Sequence, residues 1–284
     1  FNLLDAHYVV RASIGICMIH GDGETVSEIL KRADSAMYKA KRAGGNRFSF
    51  FDPELQKRAD LQLKIERDLE KAIEEEQFVA YFQPQVNVKG ELIGAEALVR
   101  WIHPEEGIIS PDKFIPVAEQ TGAIHRIQEI VLRQSCQLVT QIKDSGAVHE
   151  NCVVSINISA CQFELDLAKN ISDVINEYGL PAEKFKLEIT ESLLMENVEL
   201  IVGKMRRLKE QGFKFSIDDF GTGYSSLAYL HSFPIDELKI DRSFINQIED
   251  KGTAIIDAII SLSNSFGFEV VAEGVETLEQ AELL

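Results

Sequence analysis

Residues 184–218 read KFKLEITESLLMENVELIVGKMRRLKEQGFKFSID, and their pattern is the clearest indication of the fold class. A short run rich in apolar residues, 184–190, is followed by a helical segment, 196–211, and by a second short run, 213–218. A strand, a helix and another strand in this order are typical of a parallel βαβ unit. The stretch therefore predicts an α/β protein in which helices pack on a parallel sheet.

The same alternation extends from this unit in both directions. A hairpin-like turn from Asn87 to Gly90 joins the first two strands. Repeated βα units over about 200 residues are typical of a TIM-type (β/α) barrel, and we expect its eighth strand after residue 284. The seven strands predicted within the chain lie at 78–86, 91–99, 152–158, 184–190, 213–218, 235–240 and 268–272. The predicted helices lie at 111–121, 124–144, 167–179, 196–211, 243–266 with a break near Gly252, and 277–284.

The N-terminal sequence predicts a separate, smaller α/β segment. Residues 7–19 are rich in β-branched side chains, and residues 46–51 form a second candidate strand. Between them, Thr25 and Glu28 have the spacing of a capping box at the start of a helix. A segment of this length is too short to be expected to fold as a domain alone.

A charged helix is expected to connect this segment to the barrel. It begins at Pro53, since proline is favoured at the first helical position, and it continues to about Glu76. The predicted organisation is therefore an α/β remnant at residues 1–51, a connecting helix at 52–76 and the barrel at 77–284.

Composition excludes several classes of protein. Apolar residues make up 45% of the chain and charged residues 26%, which is typical of a packed globular protein. Asp and Glu number 46 against 29 Lys and Arg, so the formal net charge is −17. We therefore expect no nucleic-acid polymer as a partner, and an anionic small ligand would need local cations. No apolar run approaches the roughly 18 to 20 residues of a membrane span.

The cysteines indicate a reducing compartment. They form no C-x-x-C pair and no cluster with histidine at zinc-site spacing. We expect free thiols in the cytoplasm, with any membrane tether in upstream sequence outside this chain. The start at Phe1 without a signal-peptide pattern is typical of a segment of a longer protein. The four cysteines are Cys17, Cys136, Cys152 and Cys161.

Polar side chains follow six successive predicted strands of the barrel. In such barrels the C-terminal strand ends meet at one rim, where active sites lie. Several carboxylates at one rim would repel one another unless cations compensate them, and carboxylate and amide oxygens suit Mg²⁺ or Mn²⁺. The sequence therefore predicts a metal site. The polar rim residues are Glu96, Arg100, Asn157, Glu188, Thr190, Glu191, Asp218, Asp219, Lys239, Asp241 and Glu273.

Adjacent carboxylates at Asp218 and Asp219 indicate two ions, because a shared ligand can bridge them for phosphate-ester hydrolysis. Two residues keep alternative interpretations. Lys239 either forms a structural ion pair or orients a nucleophilic water, and Arg100 either contacts a phosphate or forms a surface salt bridge. A barrel that abstracts a proton with Lys239 as the base and one Mg²⁺ is a further alternative, which the Asp pair fits less well.

At this point the motifs resemble those of the EAL domain family of cyclic di-GMP phosphodiesterases, from about residue 60 to residue 284. This resemblance implies a modified (β/α)8 barrel with an antiparallel first strand, and cleavage of cyclic di-GMP to linear pGpG. It also implies that a last strand, preceded by a catalytic Gln, follows residue 284. The motifs are YFQP at 81–84, EALVRW at 96–101, FIP at 114–116, Asn157, EITE at 188–191, DDFGTGYSS at 218–226, LKID at 238–241 and EGVE at 273–276.

The resemblance also implies roles for individual residues. One metal would be held by Glu96, Asn157, Glu188 and Asp218, and the second by Asp218 and Asp219. Lys239 and Glu273 would hold and orient the attacking water, with Asp219 counted among the catalytic residues. Arg100 would contact a substrate phosphate, and Gln83 and Leu98 would line the nucleotide pocket. Glu191, with Thr190, would anchor the DDFG loop, which is coupled to dimer formation, and Asp241 and Glu276 would support the site from outside.

The implied cofactors are two Mg²⁺ or Mn²⁺ ions, and the implied partners are cyclic di-GMP and a second copy of the chain in a bacterial cytoplasm. The alternative within this family is a receptor that binds cyclic di-GMP without turnover. Every metal-ligand position within the chain is filled, which favours an enzyme.

Residues 1 to about 50 resemble the C-terminal part of a GGDEF, or diguanylate cyclase-like, domain. The motifs are SIG at 13–15, ADSAMY at 33–38, AK at 40–41 and GNR at 45–47. Lys41 matches a phosphate-contacting position, and Gly45 stands where many active cyclases carry Arg. This segment is therefore expected to regulate the barrel rather than to act as a cyclase.

Overall fold

The computed structural model describes residues 2–3, 6–7, 12–19, 24–145, 152–163, 167–194, 198–222, 230–248 and 253–284. The chain divides into two compact units, Phe1–Asp68 and Leu69–Leu284. The boundary between the two units lies within the helix Pro53–Glu74. Among the described residues, no helix is both long enough and apolar enough to cross a membrane.

The first unit consists of short strands and one long helix. Strands β1 (Asn2–Leu3) and β2 (Ala6–His7) pair antiparallel, and β3 (Ile14–Ile16) and β4 (Phe48–Phe50) pair parallel. The helix Val26–Arg42 connects β3 to β4. This order of elements is the predicted α/β segment.

The start of this helix follows the predicted capping box. Thr25 Oγ1 accepts a hydrogen bond from the Glu28 N–H, and the Glu28 carboxylate accepts one from the Thr25 N–H at 3.0 Å. A Cβ added to Gly15 would lie 1.8 Å from the Ala33 carbonyl oxygen, so only glycine lets β3 approach the helix this closely.

The predicted strand 7–19 is too long. Within it the structure has strand at His7 and at Ile14–Ile16, and residues 8–11 lie outside the described part of the chain. The pairing of β3 is limited to three residues of β4, so residues 17–19 have no strand partner there in spite of their β propensity.

The second unit is built on one curled sheet. Its strands are β5 (Phe78–Val86), β6 (Leu92–His103), β7 (Gly107–Ile109), β8 (Val153–Asn157), β9 (Phe185–Thr190), β10 (Lys214–Phe220), β11 (Glu237–Ile240) and β12 (Glu269–Ala272). Their order along the sheet is β12-β11-β10-β9-β8-β6-β5, and β7 pairs antiparallel with β6. Strand β5 also runs antiparallel to β6, whereas the successive pairs from β6 through β8 to β12 are parallel, which confirms the TIM-like α/β fold with an antiparallel first strand.

Within the described part of the chain, the helices of this unit agree with the predicted segments, with differences at the ends and three additional short segments. They are Pro111–Thr121, Ile124–Ser145, Ala160–Phe163, Leu167–Glu177, the 3-10 turn Ala182–Lys184, Glu191–Leu194, Val198–Glu210, Arg242–Ile245, Ala254–Phe266 and Leu278–Leu283. The predicted segment 243–266 contains the helices Arg242–Ile245 and Ala254–Phe266, and its predicted break near Gly252 lies outside the described residues.

The two faces of the sheet differ in chemistry because successive side chains of a strand point to opposite sides. On β9, Phe185, Leu187 and Ile189 are buried in the apolar core, which also contains residues from the surrounding helices. The residues between them, Lys186 and Glu188, are buried on the other face. The inner face of the curled sheet is therefore polar, and it carries the candidate site.

Candidate active site

The amine of Lys239 lies at the centre of the site. This residue is on β11, and its side chain is only 1% exposed. Nζ lies 2.9 Å from Glu96 Oε2, 2.9 Å from Glu188 Oε2, 3.0 Å from Asp218 Oδ1 and 2.5 Å from Glu273 Oε1. One buried cation therefore holds four carboxylates at the same rim.

The four carboxylates come from four different strands or from the residue directly after one. Glu96 is on β6, Glu188 on β9 and Asp218 on β10, and Glu273 directly follows β12. Asn157, at the end of β8, donates from Nδ2 to Glu96 Oε1 at 2.9 Å. The parallel register places Asn157 beside Glu188, so the structure brings together all of the residues predicted for the first metal.

Burial and mutual repulsion shape the electrostatics of this cluster. Burial raises the pKa of Glu188 to about 8, with Glu96 and Asp218 adding to the rise and Lys239 opposing it. Burial likewise raises the pKa of Glu273 to about 7. Burial alone would lower the pKa of Lys239, but the surrounding carboxylates, Glu188 foremost, outweigh it and raise the pKa, so the amine stays charged.

The donor set fits a hard divalent cation. One oxygen from each of Glu96, Glu188 and Asp218 lies within 4.8 Å of the others, and the same holds for Asp218, Asp219 and Glu273. Glu188 Oε1 is buried, and no donor among the described residues reaches it. Four carboxylates facing a single ammonium, with one oxygen left without a partner, form the type of all-oxygen site that Mg²⁺ and Mn²⁺ prefer.

The turn after Asp218 has a constrained backbone. Asp219 adopts a φ of 53°, a left-handed conformation that is uncommon for residues with a Cβ. Its carbonyl oxygen accepts a hydrogen bond from Thr222 Oγ1 at 2.9 Å. Gly221 N–H donates to Glu191 Oε2 at 3.1 Å, so the buried Glu191 carboxylate contacts the backbone of this turn. The rest of the predicted glycine-rich motif, 223–226, lies outside the described residues.

Asp241 supports Asp219 from the following strand end. Asp241 caps the short helix Arg242–Ile245 through the Ser243 N–H at 2.9 Å, and it also hydrogen-bonds the Asp219 carboxyl group. Burial raises the pKa of Asp219, and the charges of Asp218 and Asp241 raise it further. The contact between Asp241 and Asp219 could not be read from the sequence, because it depends on how two separate turns meet.

The residues predicted to bind substrate lie along the hairpin of β5 and β6. Gln83 is exposed and stands opposite Glu96 in the strand register, and Leu98 stands opposite Tyr81. The Arg100 guanidinium lies 5.8 Å from the centroid of the Tyr81 ring, and its Nη1 donates to the Val99 carbonyl. Among the described residues, Arg100 forms no ion pair, so the surface salt bridge is not observed.

Two predicted residues lie at the margin. Thr190 is exposed at the end of β9, beside Asp218 in the register. Glu276 is exposed in the turn before the helix Leu278–Leu283, and its backbone N–H donates to Gln280 Oε1 at 2.8 Å. The contacts of the Glu276 backbone therefore fix this turn, whereas its carboxylate is not part of the cluster around Lys239.

Sequence reasoning missed a buried ion pair on the same inner face. Lys186 Nζ lies 2.5 Å from Glu237 Oε2, and Ser216 Oγ donates to Glu237 Oε1 at 2.9 Å. The signal that could have found this pair is the order of charges, since β9 carries Lys before Glu and β11 carries Glu before Lys.

Comparison with known proteins identifies both parts of the chain. The family model of the EAL domain matches residues 66–284, and the model of the diguanylate cyclase GGDEF domain matches residues 2–47. The chain is 41% identical over 279 residues to the bifunctional diguanylate cyclase/cyclic di-GMP phosphodiesterase MucR of Pseudomonas aeruginosa, covering 97% of this chain and 40% of the relative. It is 39% identical over 280 residues to the cyclic di-GMP phosphodiesterase NbdA of the same species, covering 97% and 36%. The chain therefore spans about two fifths of the length of these curated relatives.

Solved structures of EAL proteins also match the chain. A structure described as the PaMucR phosphodiesterase in complex with c-di-GMP has a TM-score of 0.74 and 40% identity, and the match covers 78% of this chain and 90% of that chain. The EAL enzyme Bd1971 in its cGMP-bound form has a TM-score of 0.75 and 31% identity, with coverage of 92% and 69%. The EAL family model matches residues 66–284, which is most of the chain, and the match to the 40% identical PaMucR structure covers 90% of that structure's chain. The chain therefore belongs to the EAL domain family.

Proposed function

We propose that the chain is a metal-dependent phosphodiesterase that hydrolyses cyclic di-GMP to linear pGpG. The observation that carries this proposal is the cluster of Glu96, Glu188, Asp218 and Glu273 around Lys239, with a buried oxygen of Glu188 left without a partner among the described residues. The names of MucR and NbdA include this activity, and they support its assignment to this chain.

In this proposal the carboxylates divide between two ions, either Mg²⁺ or Mn²⁺. Glu96, Asn157 and Glu188 hold the first, Asp219 holds the second, and Asp218 contributes to both. Divalent cations at such a site supply charge neutralisation on the phosphate and lower the pKa of a bound water.

The remaining residues orient the reactants. Lys239 keeps Glu273 in place, and the Glu273 side chain is 26% exposed, so water can reach it. A carboxylate whose pKa is raised to about 7 is suited to accept a proton near neutral pH.

Arg100 binds a substrate phosphate through its planar guanidinium, which the Tyr81 ring holds in position. Gln83 and Leu98 lie on the same face of the hairpin and line the nucleotide pocket.

The experiment is hydrolysis of cyclic di-GMP by the chain in Mg²⁺ or Mn²⁺, and again with chelator. We expect pGpG to form only with metal, and Asp219→Asn to lower the rate by at least about 100-fold while cyclic di-GMP still binds. Glu177→Gln, which breaks the exposed ion pair with Arg133, is the control and should keep full activity. Binding without any product would establish the receptor alternative, and an unchanged rate in Asp219→Asn would reject the two-metal mechanism.

We further infer that the chain acts in the bacterial cytoplasm as a homodimer through residues 77–284, with residues 1–51 and the helix 52–76 as a regulatory segment. The bond between Glu191 and Gly221 supports a coupling between the turn after Asp218 and its surroundings. Light scattering of the chain with and without cyclic di-GMP tests the dimer, since a monomer in both conditions would reject it.

A further inference from the structure

A second ion pair lies on the inner face of the sheet, between β9 and β11. Lys186 Nζ is 2.5 Å from Glu237 Oε2, and the side chains are only 8% and 3% exposed. Ser216, on the strand between them, donates to the other oxygen of Glu237 at 2.9 Å. Both charges are therefore removed from solvent, and each has a partner.

This pair lies directly next to the candidate metal site. Lys186 precedes Glu188 by two residues on β9, and Glu237 precedes Lys239 by two residues on β11. Residues two apart on a strand share a face and lie about 7 Å apart. The order of charge is reversed on the two strands, so the pair Lys186–Glu237 and the pair Glu188–Lys239 lie side by side with opposite polarity.

The reversed order has a consequence for the charge of the site. The rim cluster already contains one cation, Lys239, among four carboxylates. Lys186 is a second cation in the same low-dielectric interior, where charges interact strongly over such distances. Without Glu237 as its partner, Lys186 would offset the negative charge of Glu188, and the carboxylates would attract a divalent cation less.

We propose that Glu237 is a positioning residue of the metal site: it pairs with Lys186 and so preserves the charge that the rim carboxylates offer to divalent cations. This inference rests on the metal dependence in the proposed function. It assigns no contact between Glu237 and the ion, because Glu237 acts through Lys186.

The test is the affinity for Mn²⁺, measured from the electron paramagnetic resonance signal of free Mn²⁺ at fixed pH and salt. Glu237→Gln should weaken binding about tenfold, as for other residues that act through a metal ligand. The double variant Lys186→Met/Glu237→Gln removes both charges and should bind within about threefold of the unsubstituted chain. Lys186→Met alone should bind no more weakly than the unsubstituted chain, since it removes only the competing cation.

Weaker binding in Glu237→Gln without weaker binding in Lys186→Met separates this role from structural damage, which would weaken binding in both. Glu177→Gln makes the same change of charge at an exposed ion pair and should leave the affinity unchanged. If Glu237→Gln does not fold, the double variant and Lys186→Met still decide, because tenfold weaker binding in both would overturn the inference. Folded Glu237→Gln with undiminished affinity would also overturn it. An unsubstituted chain that binds no Mn²⁺ would overturn the metal site itself, and this inference with it.

Discussion

Lys239 compensates the negative charge of the rim carboxylates only in part. Its charged amine contacts four of them, yet burial still raises the pKa of Glu188 to about 8. One ammonium is therefore too little compensation for the cluster. Under the proposed function, the part of the negative charge that Lys239 leaves unpaired would attract divalent cations.

These pKa values predict how stability depends on pH. The pKa of Glu188 is about 8 in the folded chain against 4.5 in the unfolded chain, so its contribution is fully present below pH 4.5 and is lost as the pH rises through 8. Glu273 changes in the same direction, with a folded pKa of about 7. Lys239 adds no slope in this range, because its pKa lies above 10.5 in the folded state. The melting temperature in chelator should therefore fall between about pH 5.5 and pH 8.

Added Mn²⁺ should raise the melting temperature more at the higher pH, because metal binding requires the ionised carboxylates. Scanning calorimetry at both pH values, with and without Mn²⁺, measures this difference. Glu188→Gln should flatten the slope in chelator, and Glu177→Gln should preserve it. A melting temperature in chelator that rises over this interval would contradict the assignment of burial as the dominant cause.

The position of a single site residue can be predicted from the sequence where it depends only on the order and direction of the strands. Glu96, Glu188 and Asp218 lie within β6, β9 and β10, and the parallel arrangement brings these parts of the strands to one rim. The contact of Asp241 with Asp219 and the stacking of Arg100 on Tyr81 were not predicted. These contacts depend on side-chain conformations and turn geometry, which have no signature in residue spacing.

At the scale of elements, strand β9 has one face in the apolar core and the other at the candidate site. Leu187 is fully buried in the apolar core, next to Glu188 on the opposite face. Leu187→Ala should lower the free energy of unfolding by about 2 to 5 kcal/mol, because it leaves a cavity in that core. Urea denaturation measures the change. Leu278→Ala, at a side chain that is 72% exposed, is the matched control and should change the stability by less than about 1 kcal/mol.

Element bounds were predicted almost to the residue for one strand inside the sheet and for one at its edge. The predicted strand 184–190 differs from β9 by one residue, and 78–86 agrees with β5. The sequence missed β7, a three-residue strand whose existence depends on pairing with the end of β6. Trp101 is buried there against Phe78 and Phe114, so tertiary packing extends β6 beyond the predicted 91–99.

For the whole molecule, divalent cations can be attracted both by the net charge of −17 and by the carboxylates on the inner face of the curled sheet. A strongly acidic surface attracts divalent cations without specificity, but at about 0.15 M salt this attraction is screened beyond about 8 Å. The inner face differs because its carboxylates converge from separate strands and one of them, Glu188, is fully buried. Specific sites should therefore persist at salt concentrations that abolish surface binding.

The arrangement of the carboxylates predicts the number of these sites. Glu188 belongs only to the first cluster, Asp219 belongs only to the second, and Asp218 belongs to both. At about 0.15 M salt, we expect two Mn²⁺ per chain by equilibrium dialysis, and about one in Asp219→Asn or in Glu188→Gln. Asp218→Asn should weaken both sites, because the shared ligand is lost from each. Full occupancy of two ions in Asp219→Asn would show that the second cluster is not a site, and the shared carboxylate would then have to be assigned to one ion alone.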